Sequence, residues 1–296
     1  MARTDTLTRF LIEQTAVRGV HVRLDAGWAE VRARAPAPAP AERLLGEALA
    51  ATALFCGHLK VEGRLSLQLH GTAGLRTLFA ECTSAGTLRG LARTDGPLHD
   101  DFGPRDTGAG ALLAITIESR LPGQRESQRY QGLVGLEAER LDAALVDYFR
   151  QSEQLPTVLL LAADAQHAAG LMLQLLPEQG RGGEGWERVQ ALFGTLGAAE
   201  LLATPGGELL WRLFHEDGVR LLSEQPLAFG CSCSQARVEA MLTGLGRDEA
   251  LAAAASGNAE VQCEFCGKNY VLAQAAVAAL FDGADRTTGP EAPGLQ

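Results

Sequence analysis

Residues 231–266 read CSCSQARVEAMLTGLGRDEALAAAASGNAEVQCEFC, and the cysteines at the two ends of this stretch decide how the rest of the chain is read. Cys231 and Cys233 form a C-x-C pair, Cys263 and Cys266 a C-x-x-C pair, and 29 residues, 234–262, separate them. Four thiolates close a tetrahedral shell around zinc, with Zn–S bonds of about 2.3 Å. A C-x-x-C followed by Gly267 suits a knuckle turn whose backbone N–H groups face the sulfurs. C-x-C is the less usual ligand pair, since its sulfurs lie close together on one extended stretch. Two readings stand side by side. One is a static zinc ribbon. The other is a redox site, because ligation keeps the thiols deprotonated and the thiolate is the form that oxidants attack. Either pair is close enough in sequence for a local disulfide, with most backbone adjustment in C-x-C, and oxidation of that kind ejects the metal.

The surroundings of the cysteines sharpen the second reading. Residues 230–282 are expected to form a small C-terminal zinc-binding domain, with apolar content concentrated at 250–255 and 270–281. A domain under ~70 residues seldom has core enough to fold unaided. Structural zinc supplies ~10–16 kcal/mol of apparent binding energy coupled to folding, more than the whole stability of many domains. The site is therefore a candidate switch that unfolds its own domain. Residues 283–296 are expected to be a disordered tail.

The remaining composition excludes several classes. At 296 residues, 46% hydrophobic and 21% charged, the chain is long enough for a full core without staples. The longest uncharged runs, 165–177 and 269–281, are thirteen residues each, too short for a spanning helix. The opening MARTDTLTRFLIEQTAVRG mixes charge with apolar residues and does not read as a secretory signal. The expected compartment is the reducing cytoplasm, where a bunch of cysteines is a metal or redox site. The net charge of −10 argues against non-specific binding to a phosphate backbone.

Periodicity along the first ~180 residues predicts an α+β fold: an N-terminal mixed α/β domain, 1–177, with a largely antiparallel sheet. Strands are predicted at 20–24, 28–35, 65–70, 74–82, 88–93, 111–118, 129–136, 156–163 and 170–176. Helices are predicted at 41–56 and 141–152. The prolines of ARAPAPAP, 33–40, favour an extended linker. Glu178 to Gly185, EQGRGGEG, is read as a flexible break. Beyond it, 178–229 is expected to be a metastable helical linker, with nine glycines and short helices around Trp186, Val189, Phe193 and Leu196 and over 208–216.

Other motifs carry less. Gly180-Arg181-Gly182-Gly183-Glu184-Gly185 matches the dinucleotide fingerprint, but a second helix rather than a strand follows, so a linker is the preferred reading. Neither Lys60 nor Lys268 sits in a P-loop, so ATP chemistry lacks its parts. His215-Glu216 is not continued to H-E-x-x-H, and the zinc-deaminase pattern is absent. The other histidines show no ligand spacing. Cys56 and Cys82 read as core residues.

The sequence resembles the redox-regulated molecular chaperone of 33 kDa, the heat-shock protein 33 family. The C-x-C, gap near thirty, C-x-x-C pattern carries the resemblance most specifically. It is joined by Arg9-Phe10-Leu11 with Ala16-Val17-Arg18-Gly19, by Arg129-Tyr130-Gln131-Gly132-Leu133-Val134-Gly135-Leu136-Glu137, by Tyr148-Phe149 with Ser152-Glu153-Gln154-Leu155-Pro156-Thr157, and by Leu210-Trp211-Arg212-Leu213-Phe214-His215-Glu216. The resemblance implies a non-enzymatic, ATP-independent holdase for the stress response. Reduced, it holds one zinc on Cys231, Cys233, Cys263 and Cys266 and is inactive. Oxidised, it forms disulfides Cys231 to Cys233 and Cys263 to Cys266, loses zinc, unfolds its C-terminal domain and linker, dimerises, and binds unfolding client proteins. No nucleic acid or membrane partner is implied. Cys56 and Cys82 fall outside the family signature. Two other classes compete: a thiol–disulfide oxidoreductase using Cys263 and Cys266, and a zinc-ribbon nucleic-acid binder, which the acidic charge disfavours.

Overall fold

The computed structural model describes residues 5–58, 62–120, 128–176 and 183–282. Contacts divide the chain into two compact units, Met1–Gly230 and Cys231–Gln296. The fold class is α+β, as expected.

The first unit opens with strands β1 (Thr6–Ile12) and β2 (Val17–Leu24), then helices α1 (Ala26–Arg34) and α2 (Ala39–Cys56). There follow β3 (Glu62–His70), β4 (Leu75–Thr83), β5 (Thr87–Thr94), β6 (Leu112–Arg120) and β7 (Gln128–Val134). Then come α3 (Leu141–Tyr148) with a π-helical turn (Phe149–Glu153), β8 (Thr157–Ala163) and β9 (Ala168–Leu175). Helices α4 (Glu184–Phe193), α5 (Ala198–Ala203) and α6 (Gly206–Phe214) precede β10 (Val219–Pro226) and the two-residue β11 (Ala228–Phe229). One sheet runs β10-β1-β2-β9-β8 and the other β11-β5-β4-β3-β6-β7, with every pairing antiparallel except β11 with β5.

Helix α2 lies between the two sheets. It packs on β2, β8 and β9 of one and on β3, β4 and β5 of the other, so it is buried almost all round from Ala41 to Cys56. The six-stranded sheet turns Leu65, Leu67 and Leu69 inward and Ser66 and Gln68 outward, the alternation of a sheet with one wet face. The five-stranded sheet is covered on both faces. On the side away from α2, Phe10, Ile12, Leu171 and Leu173 pack against Trp186, Val189, Leu201, Leu209, Leu210 and Phe214 of α4, α5 and α6. That double cover is why β9 is buried at every position.

Two differences from the sequence reading have clear causes. Within the predicted strand 28–35, residues 28–34 belong to helix α1 and Ala35 caps it. Trp28 and Val31 are buried one turn apart, and Glu30 and Arg34 pair at 3.0 Å across i,i+4. The indole N–H of Trp28 donates to the Asp164 carbonyl at 2.8 Å, and the Gly27 N–H donates to the Asp5 carboxylate at 2.7 Å. The prolines that follow punctuate helices: Pro38 caps α2 and Pro40 lies in its first turn. In the middle segment the helices are joined by β10, an exposed edge strand paired with β1, whose polar and apolar residues do not alternate. Arg188 ties α4 to the turn after α6 through Asp217 at 2.9 Å and Glu216 at 2.6 Å. The break at 178–182, Lys60, and the tail 283–296 lie outside the described residues. No helix among the described residues is long and apolar enough to cross a membrane.

His21 of β2 is 1% exposed, and among the described residues neither ring nitrogen has a hydrogen-bond partner. A Cβ on Gly206 of α6 would lie 2.6 Å from this ring, so the helix start rests directly on it and only glycine fits. Burial, with the charge of Arg23 second, lowers the His21 pKa to about 4. The unfolded chain thus takes up this proton first, near pH 6.5. The stability that the neutral ring preserves is intact above pH 6.5 and is lost as pH falls from there to about 4, by up to roughly 3 kcal/mol. His58, lowered to about 3 by burial first, adds in the same direction. Urea midpoints should therefore fall between pH 7.5 and 5, and His21→Leu should flatten part of that slope. An unchanged slope in the variant would refute the assignment.

Candidate metal and redox centre

The second unit is built around a small core. After Ser234 come α7 (Gln235–Leu245) and α8 (Arg247–Ala253), then a hairpin of β12 (Asn258–Gln262) and β13 (Asn269–Ala273), then α9 (Gln274–Ala279). Val238, Leu242, Ala250, Ala254, Ala259, Tyr270, Leu272, Val277 and Phe281 are its buried apolar residues, three of them alanine. Of the Ala-rich stretch 250–255 only Ala250 and Ala254 are buried, so it contributes little apolar area, since burial yields about 25 cal/mol per Å² and alanine buries little.

The cysteines arrive on two elements. Cys231 and Cys233 lie on an extended stretch that ends where Ser234 caps α7, its hydroxyl accepting from the Arg237 N–H at 3.3 Å. Cys263 and Cys266 sit in the hairpin turn. The Gly267 N–H donates to the Cys263 carbonyl at 2.8 Å and the Cys263 N–H to the Lys268 carbonyl at 2.9 Å. Gly267 takes φ +71°, the left-handed value that closes the turn and that glycine adopts without strain. The Lys268 N–H also donates to the Cys266 sulfur and the Cys233 N–H to the Cys231 sulfur, the knuckle geometry.

All four sulfurs lie within 4.8 Å of one another, with Cys231 Sγ to Cys263 Sγ at 3.6 Å and Cys233 Sγ to Cys266 Sγ at 3.4 Å. The edge of a tetrahedron with 2.3 Å metal–sulfur bonds is about 3.8 Å. The donor set and its spacing therefore fit one metal ion. The Tyr270 hydroxyl donates to Cys233 Sγ at 3.1 Å, and the Lys268 ammonium lies 4.9 Å from the Tyr270 ring centre. The Tyr270 hydrogen bond lowers the Cys233 thiol to about 7. Burial first, with sulfur contacts adding, pushes Cys266 up to about 12, and burial raises Cys231. Four such groups cannot all ionise together without a cation; a divalent one reverses that balance.

Each of the four cysteines singled out by spacing is brought into this cluster. Tyr270 was not singled out; its signal was its place on the strand leaving the knuckle, four residues after Cys266. Cys263 follows a strand and precedes another, so the helix N-terminus that activates an oxidoreductase dithiol is not beside it. The glycine-rich match at 180–185 lies half outside the described residues. Its helix α4 leads to α5 and α6, and the next strand, β10, pairs antiparallel with β1, so no βαβ unit forms there. His215 stacks on Trp211 at an exposed helix end, and Glu216 pairs with Arg188.

The family model described as Hsp33 protein matches residues 5–273. A 33 kDa chaperonin of Chromobacterium violaceum is 40% identical over 283 residues, covering 95% of this chain and 95% of the relative. One from Nitrosococcus oceani is 43% identical, covering 95% and 96%. The crystal structure of the 33 kDa chaperonin from Thermotoga maritima shares the fold with a TM-score of 0.79 at 22% identity, over 96% of this chain and 99% of that one.

Proposed function

We propose that this chain, which belongs to the Hsp33 family, is a redox-regulated holdase that works without ATP and without catalytic turnover. The observation that carries the reading is the convergence of four sulfurs within 4.8 Å in a unit whose own core is small. Cys231, Cys233, Cys263 and Cys266 hold one zinc ion in the reduced chain. Bound there, zinc supplies the positive charge that keeps four neighbouring thiols ionised and the folding energy that the core lacks.

Oxidation acts on the cysteines. In each pair two thiolates give two electrons to one hydrogen peroxide, which takes up two protons from solvent and becomes two waters, and a disulfide remains. Two disulfides consume all four donors. The pairing Cys231 to Cys233 and Cys263 to Cys266 follows from the family resemblance; the mutual sulfur distances leave every pairing near. Residues 231–282 then lose their order. The described part of the middle segment, 183–229, consists of short helices and an edge strand and reaches Cys231 through Gly230 alone, so it is the next part to loosen. Its release uncovers the apolar face of the five-stranded sheet, where Phe10, Leu171 and Leu173 lie. Such a surface binds unfolding proteins in the cytoplasm and lets oxidised chains dimerise.

The test is suppression of light scattering by a heat-denatured enzyme, without nucleotide. Peroxide with mild heat should switch protection on and dithiothreitol should switch it off. Insulin reduction by the same sample should stay at background. Protection that required ATP, or steady insulin turnover, would overturn the reading.

A further inference from the structure

The metal cluster leaves two cysteines unused. Cys56 ends α2 and Cys82 lies on the inner face of β4, which packs against α2. They are 4% and 1% exposed and belong to one core cluster; each thiol is the largest influence on the other's ionisation, and the Cys82 thiol donates to the Thr83 carbonyl at 3.5 Å. We propose that Cys56 and Cys82 are a second oxidisable pair, which peroxide converts to a disulfide that staples the end of α2 to β4 inside the first unit.

The two thiols differ in a way that assigns their roles. The Cys82 thiol lowers the Cys56 thiol, burial opposes it, and the Arg9 charge adds to the lowering. Cys82 is raised well above its ordinary value by the Cys56 thiol and by burial. Cys56 is thus the sulfur that ionises and attacks, and Cys82 the one that resolves. An approach for a small oxidant exists. A cavity of about 230 Å³ is lined by Phe55, His58 and Leu65. Phe55 adjoins Cys56 in sequence, and Leu65 stands opposite Cys82 in the β3–β4 register.

The step balances. The Cys56 sulfur takes one oxygen atom from hydrogen peroxide, giving a sulfenic acid and one water. The Cys82 sulfur then displaces the hydroxyl, which leaves with the Cys82 proton as a second water. Two thiols have lost two electrons and two protons, and one peroxide has been reduced to two waters. Because both sulfurs are buried, the reaction should lag the four C-terminal cysteines by at least about tenfold, following accessibility.

The full chain would be treated with peroxide at mild heat, its free thiols blocked in denaturant, and digested with trypsin without reduction. Cys56 and Cys82 fall in separate peptides, 44–60 and 77–89. The expected product is those two peptides joined through one disulfide, rising after the C-terminal thiols are consumed and vanishing with dithiothreitol. In Cys82→Ala, Cys56 should stop at the sulfenic acid and label with a dimedone probe. If that variant does not fold, the parent chain alone decides. Recovery of both peptides singly blocked after all four C-terminal cysteines are oxidised would overturn the proposal. So would Cys56 joined instead to one of those four. Neither readout depends on zinc or on client binding, so failure here and failure of the holdase reading are distinguishable.

Discussion

Replacing Cys263 and Cys266 together by serine should drop bound zinc from one per chain to background and leave residues 231–282 open to protease in the reduced state. The size of the effect follows from the core. Its buried apolar side chains number nine, three of them alanine, whereas a structural zinc contributes on the order of 10 kcal/mol to folding. Removing two of four donors cannot be absorbed by that core. Hydroxyls do not replace thiolates as ligands at neutral pH, because serine stays protonated. Aggregation suppression by the variant should no longer depend on peroxide. A variant that still switched with peroxide as the parent does would show that the cluster is not the switch.

Phe214→Ala should loosen the cover of the five-stranded sheet without touching the cysteines. Phe214 is fully buried among the residues of α4, α6 and the sheet. Truncation of a buried phenylalanine costs about 3–5 kcal/mol, and α6 spans only Gly206–Phe214, so the cost falls on one short helix. Apolar-dye binding and partial protection of a denaturing enzyme should appear in the reduced variant while zinc stays bound. Trp211→Ala is the control. Trp211 is 63% exposed on the same helix, and its loss should change stability by no more than about 0.5 kcal/mol. Equal effects from both substitutions, or none from Phe214→Ala, would contradict the idea that the buried face of the middle segment conceals the binding surface.

What the sequence revealed, and what it hid, follow from the range of the signals. The four cysteines are a covalent-chemistry signal, independent of periodicity, and all four converge. Helix α2 and strands β3 to β6 carry patterns that match their burial, so their positions were legible within a few residues. Residues 28–35 alternate Trp28, Ala29, Glu30 and Val31 in a way that also fits a strand; the deciding features, Trp28 bonded to Asp164 and the Asp5 carboxylate beneath the helix start, come from 136 and 22 residues away. Strands β1 and β10 were missed because they pair with each other across the whole unit, Thr6 with Pro226 to Ile12 with Val219, and β10 has no buried face to pattern it. The hairpin of β12 and β13 was hidden for another reason. Its strands are five residues each, too short for the alternation of Ala259, Tyr270 and Leu272 to stand out, and the knuckle sets the register in which they pair. The nearness of Cys56 to Cys82 needed the register of β4 against α2, which no local pattern states.

The most direct test of the account reads zinc content and protection of a denaturing enzyme on one sample as peroxide is added at mild heat. The account predicts one zinc per chain at the start, release that tracks the loss of the four C-terminal thiols, protection that rises along the same curve, and return of both on reduction with zinc present. Full protection while zinc is still bound, or complete zinc release without protection, would contradict it.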